Sequence, residues 1–160
     1  MSELAIALTG ESAQAAPSKI LEGISEAAAH QKAANAPRTI YEEVWHMAFW
    51  QQLSLDWITG NPRPGPASPS EGFPSNTLET WQEIKERFLS GTTAAASIAK
   101  DEKSLEAFVL CPNFSGPNRR MTVHDQLVSL VAHNSYHLGR TVLLRQLLGC
   151  WASSDSGYSW

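Results

Sequence analysis

Thr39-Ile40-Tyr41-Glu42-Glu43-Val44-Trp45-His46-Met47-Ala48-Phe49-Trp50-Gln51 opens with a helix start signal and continues as a helix that is apolar on two sides. The Thr39 hydroxyl can take one unpaired amide of a first turn while Glu42 reaches back to another, a capping box. Ala36-Pro37-Arg38, just upstream, interrupts any helix arriving from the N-terminal side. The pattern predicts a helix from about Ile40 to Thr59, ending near Gly60. At 100° per residue, Ile40, Val44, Met47 and Ile58 form one stripe, and His46, Trp50, Leu53 and Trp57 form another that faces well away from it. Trp45 and Phe49 widen the apolar girth. Such a helix is enclosed by more than its bundle neighbours. A subunit interface, an aromatic-lined pocket or a covering loop would account for the second face.

Outward from this helix the patterns remain helical. Pro17 to about Lys32 puts Ile20, Ile24 and Ala27 on one face, with Leu21 and Ala28 beside it, and Pro17 suits a first helical turn. Downstream, GNPRPGPASPSEGFPSN (Gly60 to Asn76) is too rich in proline and glycine for a helix and reads as a long connection. A third helix is predicted from near Thr77, carrying Leu78, Trp81, Ile84, Phe88 and Ile98 inward, with a bend or break at Ser90-Gly91-Thr92-Thr93. Asp101 to Leu110 reads as a short helical segment and Cys111 to Arg120 as a loop. Thr122-Val123-His124-Asp125 is a second cap, and the last helix extends to about Leu148 before Gly149. The expected architecture is a single all-α domain over residues 1–160, a four-helix bundle with a long crossover connection.

The chain has 160 residues, long enough for one well-packed domain, and its 42% hydrophobic and 18% charged residues exclude a largely disordered chain. Twelve Lys and Arg against 16 Asp and Glu give a net charge of -4, which disfavours a nucleic-acid partner. No apolar run approaches the length of a membrane span. The start, MSELAIALTGES, lacks the basic residues of a secretory signal, so a cytoplasmic location is expected. Cys111 and Cys150 form no Cys-x-x-Cys pair and read as inert thiols.

The histidines carry more information. His133 and His137 stand at i and i+4 on the last helix, one turn apart and close enough to chelate one ion, with Leu130, Leu144 and Leu148 in neighbouring inward positions. Asn134 follows His133, so the motif lacks the glutamate of zinc proteases. His46 adds a third imidazole from another helix. Three neutral imidazoles suit zinc, nickel or iron and leave positions open for water and substrate. The alternative is a buried histidine pair bonded to carbonyls, with His46 part of an interface.

The segment Thr39 to Gln51 also resembles the first motif of the DinB/YfiT-like family of metal-dependent helical-bundle proteins. Val131-Ala-His133-Asn-Ser-Tyr136-His137-Leu-Gly139-Arg140, followed by Leu143 to Gly149, resembles its second, and Leu8 to Ser12 is similar to its start. Residues 60–120 carry no specific motif. The position after Gly139 is commonly Gln in the family and is Arg140 here. The resemblance implies a four-helix bundle with a crossover, often dimeric, and a divalent metal held by His46, His133 and His137. It also implies relatives that transfer low-molecular-weight thiols (bacillithiol, mycothiol or glutathione) to electrophiles or use them in isomerisation; the alternative is a non-catalytic, stress-associated metal-binding protein.

Trp50, Tyr136 and Arg140 are candidates to line a pocket, with core packing or a surface ion pair as their ordinary roles; no catalytic side chain is assigned. Glu43 can be a partner for an imidazole N–H, although a solvated carboxylate is the more ordinary reading of it. Glu42 is explained by capping. His124, in the first turn of the last helix, and His30, near a helix end, read as surface residues. A homodimer is expected, with the second face of the His46 helix as its apolar surface and the Gly60 to Asn76 segment, with Phe73, as the competing cover.

Overall fold

The computed structural model describes residues 2–10, 12–75, 78–112 and 117–151. It is predominantly helical. Three long helices, α4 (Ile40–Ile58), α5 (Trp81–Ile98) and α7 (Val123–Leu147), carry the structure. Each begins at a threonine whose hydroxyl accepts the amide three residues on and whose own amide is taken by a carboxylate: Thr39 with Glu42, Thr80 with Glu83, Thr122 with Asp125. Three short helices precede them, α1 (Glu3–Thr9), α2 (Pro17–Ile20) and α3 (Glu26–His30), and α6 (Glu102–Leu105) follows α5. A hairpin of β1 (Phe108–Cys111) and β2 (Arg119–Thr122) leads into α7, with Phe108 opposite Thr122 and Cys111 opposite Arg119.

Apolar burial falls into two clusters at opposite ends of the long helices. One joins Ile40, Val44 and Met47 of α4 to Ile84 and Phe88 of α5, Leu138 and Leu144 of α7, and Ile20, Leu21 and Ala29 of the short helices. The other joins Leu55, Ala95, Val123, Leu127 and Leu130 to Ala5 and Leu8 of α1 and Val109 of β1. The first halves of α4 and α5 therefore lie together, and α7 runs opposite to both. Parallel neighbours need a connection that returns the full length of the helix, which is the work of the Pro-rich segment after α4. Between the two clusters lies a buried polar layer. Gln51 donates to the Phe88 carbonyl (2.8 Å), and its Oε1 accepts from Asn134 (3.1 Å) and Thr92 (3.2 Å).

The sequence pattern and the structure part company in several places. The single helix expected from Pro17 to Lys32 is two, because Gly23 adopts a left-handed conformation (φ 71°) and Ser25 caps a new start by accepting from Ala28. The break lets the Ile24 carbonyl accept from the Trp81 indole (2.9 Å) and Glu26 accept from the Trp81 amide (3.0 Å), which anchors the start of α5. That start lies at Trp81, not near Thr77, which falls outside the described residues. Leu78, expected inward, precedes the helix and is 99% exposed. No break occurs at 90–93. Gly91 instead lets α5 approach α4, since a Cβ there would meet the Gln51 side chain well inside contact distance. The helical segment expected from Asp101 to Leu110 ends at Leu105, and residues 108–111 and 119–122 pair as strands too short to show alternation. Helix α1, unforeseen, is capped by Ser2 and closed by Gly10 at φ 82°.

Replacing Gly91 by Val should destabilise the fold by about 1–3 kcal/mol, because the new side chain displaces a Gln51 amide already committed to three hydrogen bonds. A lowered urea midpoint with an unchanged slope is the expected measurement.

Candidate metal centre

The polar layer continues from Gln51 into the histidine cluster. His46 and His137 are buried and His133 half-buried. Their ring centroids stand 4.5 to 5.0 Å apart, and one nitrogen from each lies within 4.8 Å of the others. Helices α4 and α7 hold them: His133 and His137 one turn apart on α7, His46 facing them from α4.

Hydrogen bonding decides which nitrogens are available. The Gly72 carbonyl can only accept, so its 2.7 Å contact places the proton of His46 on Nδ1. Glu43 Oε2 lies 2.6 Å from His137 Nδ1 and fixes the same tautomer there. For His133 the assignment passes through three side chains. The Phe88 carbonyl must receive the Gln51 amide N–H, which turns Gln51 Oε1 toward Asn134. Asn134 therefore presents Nδ2 to Gln51 and Oδ1 to His133 Nδ1, at 3.4 Å. All three Nε2 atoms are left with bare lone pairs, and those of His46 and His133 stand 3.1 Å apart. Neither can donate to the other, so the pair is repulsive without a cation between them. Two Zn–N bonds at a tetrahedral angle would place their nitrogens about 3.3 Å apart. The donor set thus fits a first-row divalent ion. Burial also favours the neutral form of two of these imidazoles: it pushes His46 below its ordinary value and His133 down to about 4.

The surroundings hold this arrangement in place. Glu43 is fully buried, and its second oxygen is 2.8 Å from an Arg140 Nη, so the carboxylate lies between a guanidinium and an imidazole. The solvated carboxylate expected at Glu43 is thereby corrected. Its place three residues before His46 on an apolar helix was the available signal. Arg140 is committed to Glu43 and lies beside the exposed Tyr136, whose ring stands edge-on to His137 at 5.0 Å. The Pro-rich segment covers the other side. Phe73 stacks on His46 at 4.2 Å with the Arg38 guanidinium over its far face at 4.1 Å. Gly72 has no side chain because a Cβ would come within 2.9 Å of the Trp50 indole nitrogen. Trp57 donates to the Arg63 carbonyl (2.7 Å), and Leu53 is fully buried. The competing cover for the second face of α4, its own downstream segment, thus lies on it.

A cavity of about 310 Å³ opens beside His133, lined among others by Trp50, Trp57, Cys111, Arg119 and Gln126. Of the three pocket candidates, Trp50 lines it; Tyr136 and Arg140 sit on the Glu43 side of the histidines. His30 pairs with Glu26 and stacks on Tyr41, and His124 is exposed beside Asp125, both away from the cluster. Among the described residues no helix is long and apolar enough to cross a membrane.

Comparison with protein families gives a match to the DinB superfamily over residues 10–140. The chain belongs to the DinB superfamily. The matched span contains all three histidines, Glu43, Arg140 and the hairpin. No curated protein matches the chain significantly. Within this DinB chain, Phe73 was legible only as part of a segment able to cover the α4 face, and sequence patterns gave no signal for Gly72 or the Gln51–Asn134 relay as supports of the site, since each acts through a partner distant along the chain.

Glu43→Gln should weaken zinc binding by roughly 10- to 100-fold while leaving the fold intact, because the charge that orients His137 is lost and Arg140 is left unpaired. Competition against a chromophoric chelator, with circular dichroism as the control for folding, measures both.

Proposed function

We propose that this DinB-superfamily chain is a divalent-metal-dependent enzyme of small-molecule thiol chemistry: a transferase that joins a low-molecular-weight thiol to an electrophile, or a thiol-dependent isomerase. The observation that carries the metal is the convergence of three bare Nε2 atoms, each with its Nδ1 proton already spent on an acceptor. His46, His133 and His137 are the proposed ligands, and zinc, nickel and iron all suit them. When bound, such an ion favours the thiolate or hydroxide form of a group that joins it. The protein's own residues do the rest. Glu43, with Arg140 behind it, holds the His137 tautomer; Gly72 and Phe73 fix His46 and shut water from that side; the cavity beside His133 leaves room for a reactant. Three ligands supplied by only two helices support an open coordination position.

We read α1 to α3 together as the counterpart of the fourth helix of the bundle, and the segment between α4 and α5 as its crossover. A reducing, cytoplasmic setting suits a thiol reaction and two free cysteines. Self-association belongs to the same reading, through the exposed Leu143 and Leu147 of α7 in place of the α4 face; light scattering at micromolar concentration should give twice the chain mass, and Leu143→Lys should return it to one.

A non-catalytic role has one observation in its favour, since the same ligands would tie α4 to α7 across 87 residues of sequence. Metal removal separates the two. An enzyme should lose turnover and keep its helicity, whereas a structural site should lose its cooperative melting. In a coupled screen of bacillithiol, mycothiol and glutathione with electrophiles, conjugation that depends on added metal and disappears in the His46→Ala, His133→Ala, His137→Ala variant is the expected result. No reaction with any thiol or metal would count against the transferase.

A further inference from the structure

The cavity beside His133 combines aromatic and polar walls with a charge of one sign. Trp50 and Trp57, seven residues apart on α4, present two indoles to it, and Leu130 and Met121 add apolar surface. Three of its polar groups are linked to one another: the Cys111 thiol faces Gln126 Oε1 at 3.5 Å, and Gln126 Nε2 donates to Ser54 at 2.8 Å; Ser129 and His133 also line it. Burial raises the Cys111 thiol above its ordinary value, so it stays protonated and offers no charge.

Arg119 is the exception. It is the one lysine, arginine or carboxylate among the lining residues, and it pairs with no carboxylate among the described residues. The hairpin register puts it opposite Cys111, so both side chains leave the ladder on the same face, the one turned to the cavity. Its neighbour Arg120 is used differently, stacked on Phe108 at 3.9 Å. A guanidinium with no carboxylate partner among the described residues, on a cavity that also presents two indoles, matches a planar ligand with one acidic end, since guanidinium binds carboxylate through two parallel hydrogen bonds. At about 310 Å³ the space lies at the small end of ligand cavities and accommodates a single ring with a side arm.

We propose that this cavity is the subsite for the second reactant, a small planar apolar molecule bearing one carboxylate, with Trp50 and Trp57 stacking on its plane and Arg119 clamping its acid. The inference rests on the histidine cluster being the reactive centre, because the cavity meets that cluster at His133. Arg119 is then the residue that selects acidic over neutral reactants.

The test uses cinnamate and its uncharged amide as probes of the full chain, followed by the indole N–H signals in nitrogen–proton correlation spectra. Titrations are run on the metal-loaded protein and again after chelation, so that carboxylate binding to the ion is not mistaken for binding to arginine. In both states the signals of Trp50 and Trp57 should shift, and cinnamate should bind about 5-fold or more tightly than the amide. Arg119→Gln should abolish that preference without weakening the amide, and Arg119→Lys should retain part of it. Preference that survives Arg119→Gln, or that disappears on chelation alone, overturns the proposal, as does the absence of a shift at both tryptophans. If the preference follows Arg119 but no thiol is ever transferred, the acid subsite stands and the proposed thiol chemistry falls.

Discussion

The Gln51 side chain joins the three long helices through one amide. Its nitrogen is held by the backbone of α5 and its oxygen by Thr92 of α5 and Asn134 of α7. Because the group is fully buried, each of these bonds must be made or a desolvated polar atom is left without a partner. That requirement sets how far α4, α5 and α7 slide past one another, which apolar contacts alone do not do well, since greasy surfaces tolerate small shifts. It also explains Gly91, whose missing side chain gives the amide its room. The network ends at His133, so the same bonds that set helix register also set a tautomer.

The histidine site is consequently an extension of the polar layer that divides the two apolar clusters. Burying a carboxylate such as Glu43 is costly unless it is paired, and here Arg140 and His137 face its two oxygens. Each imidazole Nδ1 meets an acceptor (the Gly72 carbonyl, Asn134 or Glu43), and the three remaining ring nitrogens face one small volume. Such an arrangement is poor as a purely structural core and good as a cation site. Access is asymmetric. The segment after α4 seals the Phe73 side, while the hairpin before α7 leaves a cavity on the His133 side.

The long Pro-rich connection has two roles that follow from one geometric fact. Parallel packing of α4 and α5 obliges the chain to return along the bundle, and a segment that must travel that far passes over the open face of α4. The aromatic residues of that face, His46 among them, are therefore covered by their own downstream sequence. The Gly72 carbonyl reaches His46 only because a glycine can lie against Trp50.

Local patterns were sufficient for the helices that have strong ends. Thr39, Thr80 and Thr122 each stand three residues before a carboxylate; the caps expected at Thr39 and Thr122 are where the structure has them, and the third helix starts from the cap at Thr80 and not near Thr77. Three histidines were legible as a possible cluster because two share a helix face and the third lies on an apolar stripe. The helical class, most of the long helices and the His133–His137 pair follow from residues within about a turn of one another, whereas His46 was singled out by its apolar stripe and meets the pair only across 87 residues of chain. Tertiary structure alone decided the break at Gly23, the hairpin, the partnership of Glu43 with His137, the Gly72 support and the position of Arg119 over a cavity. Each depends on two segments meeting from far apart in the chain. A local pattern records the period of a helix, but not which buried acceptor will stand opposite a given N–H once the helices have packed.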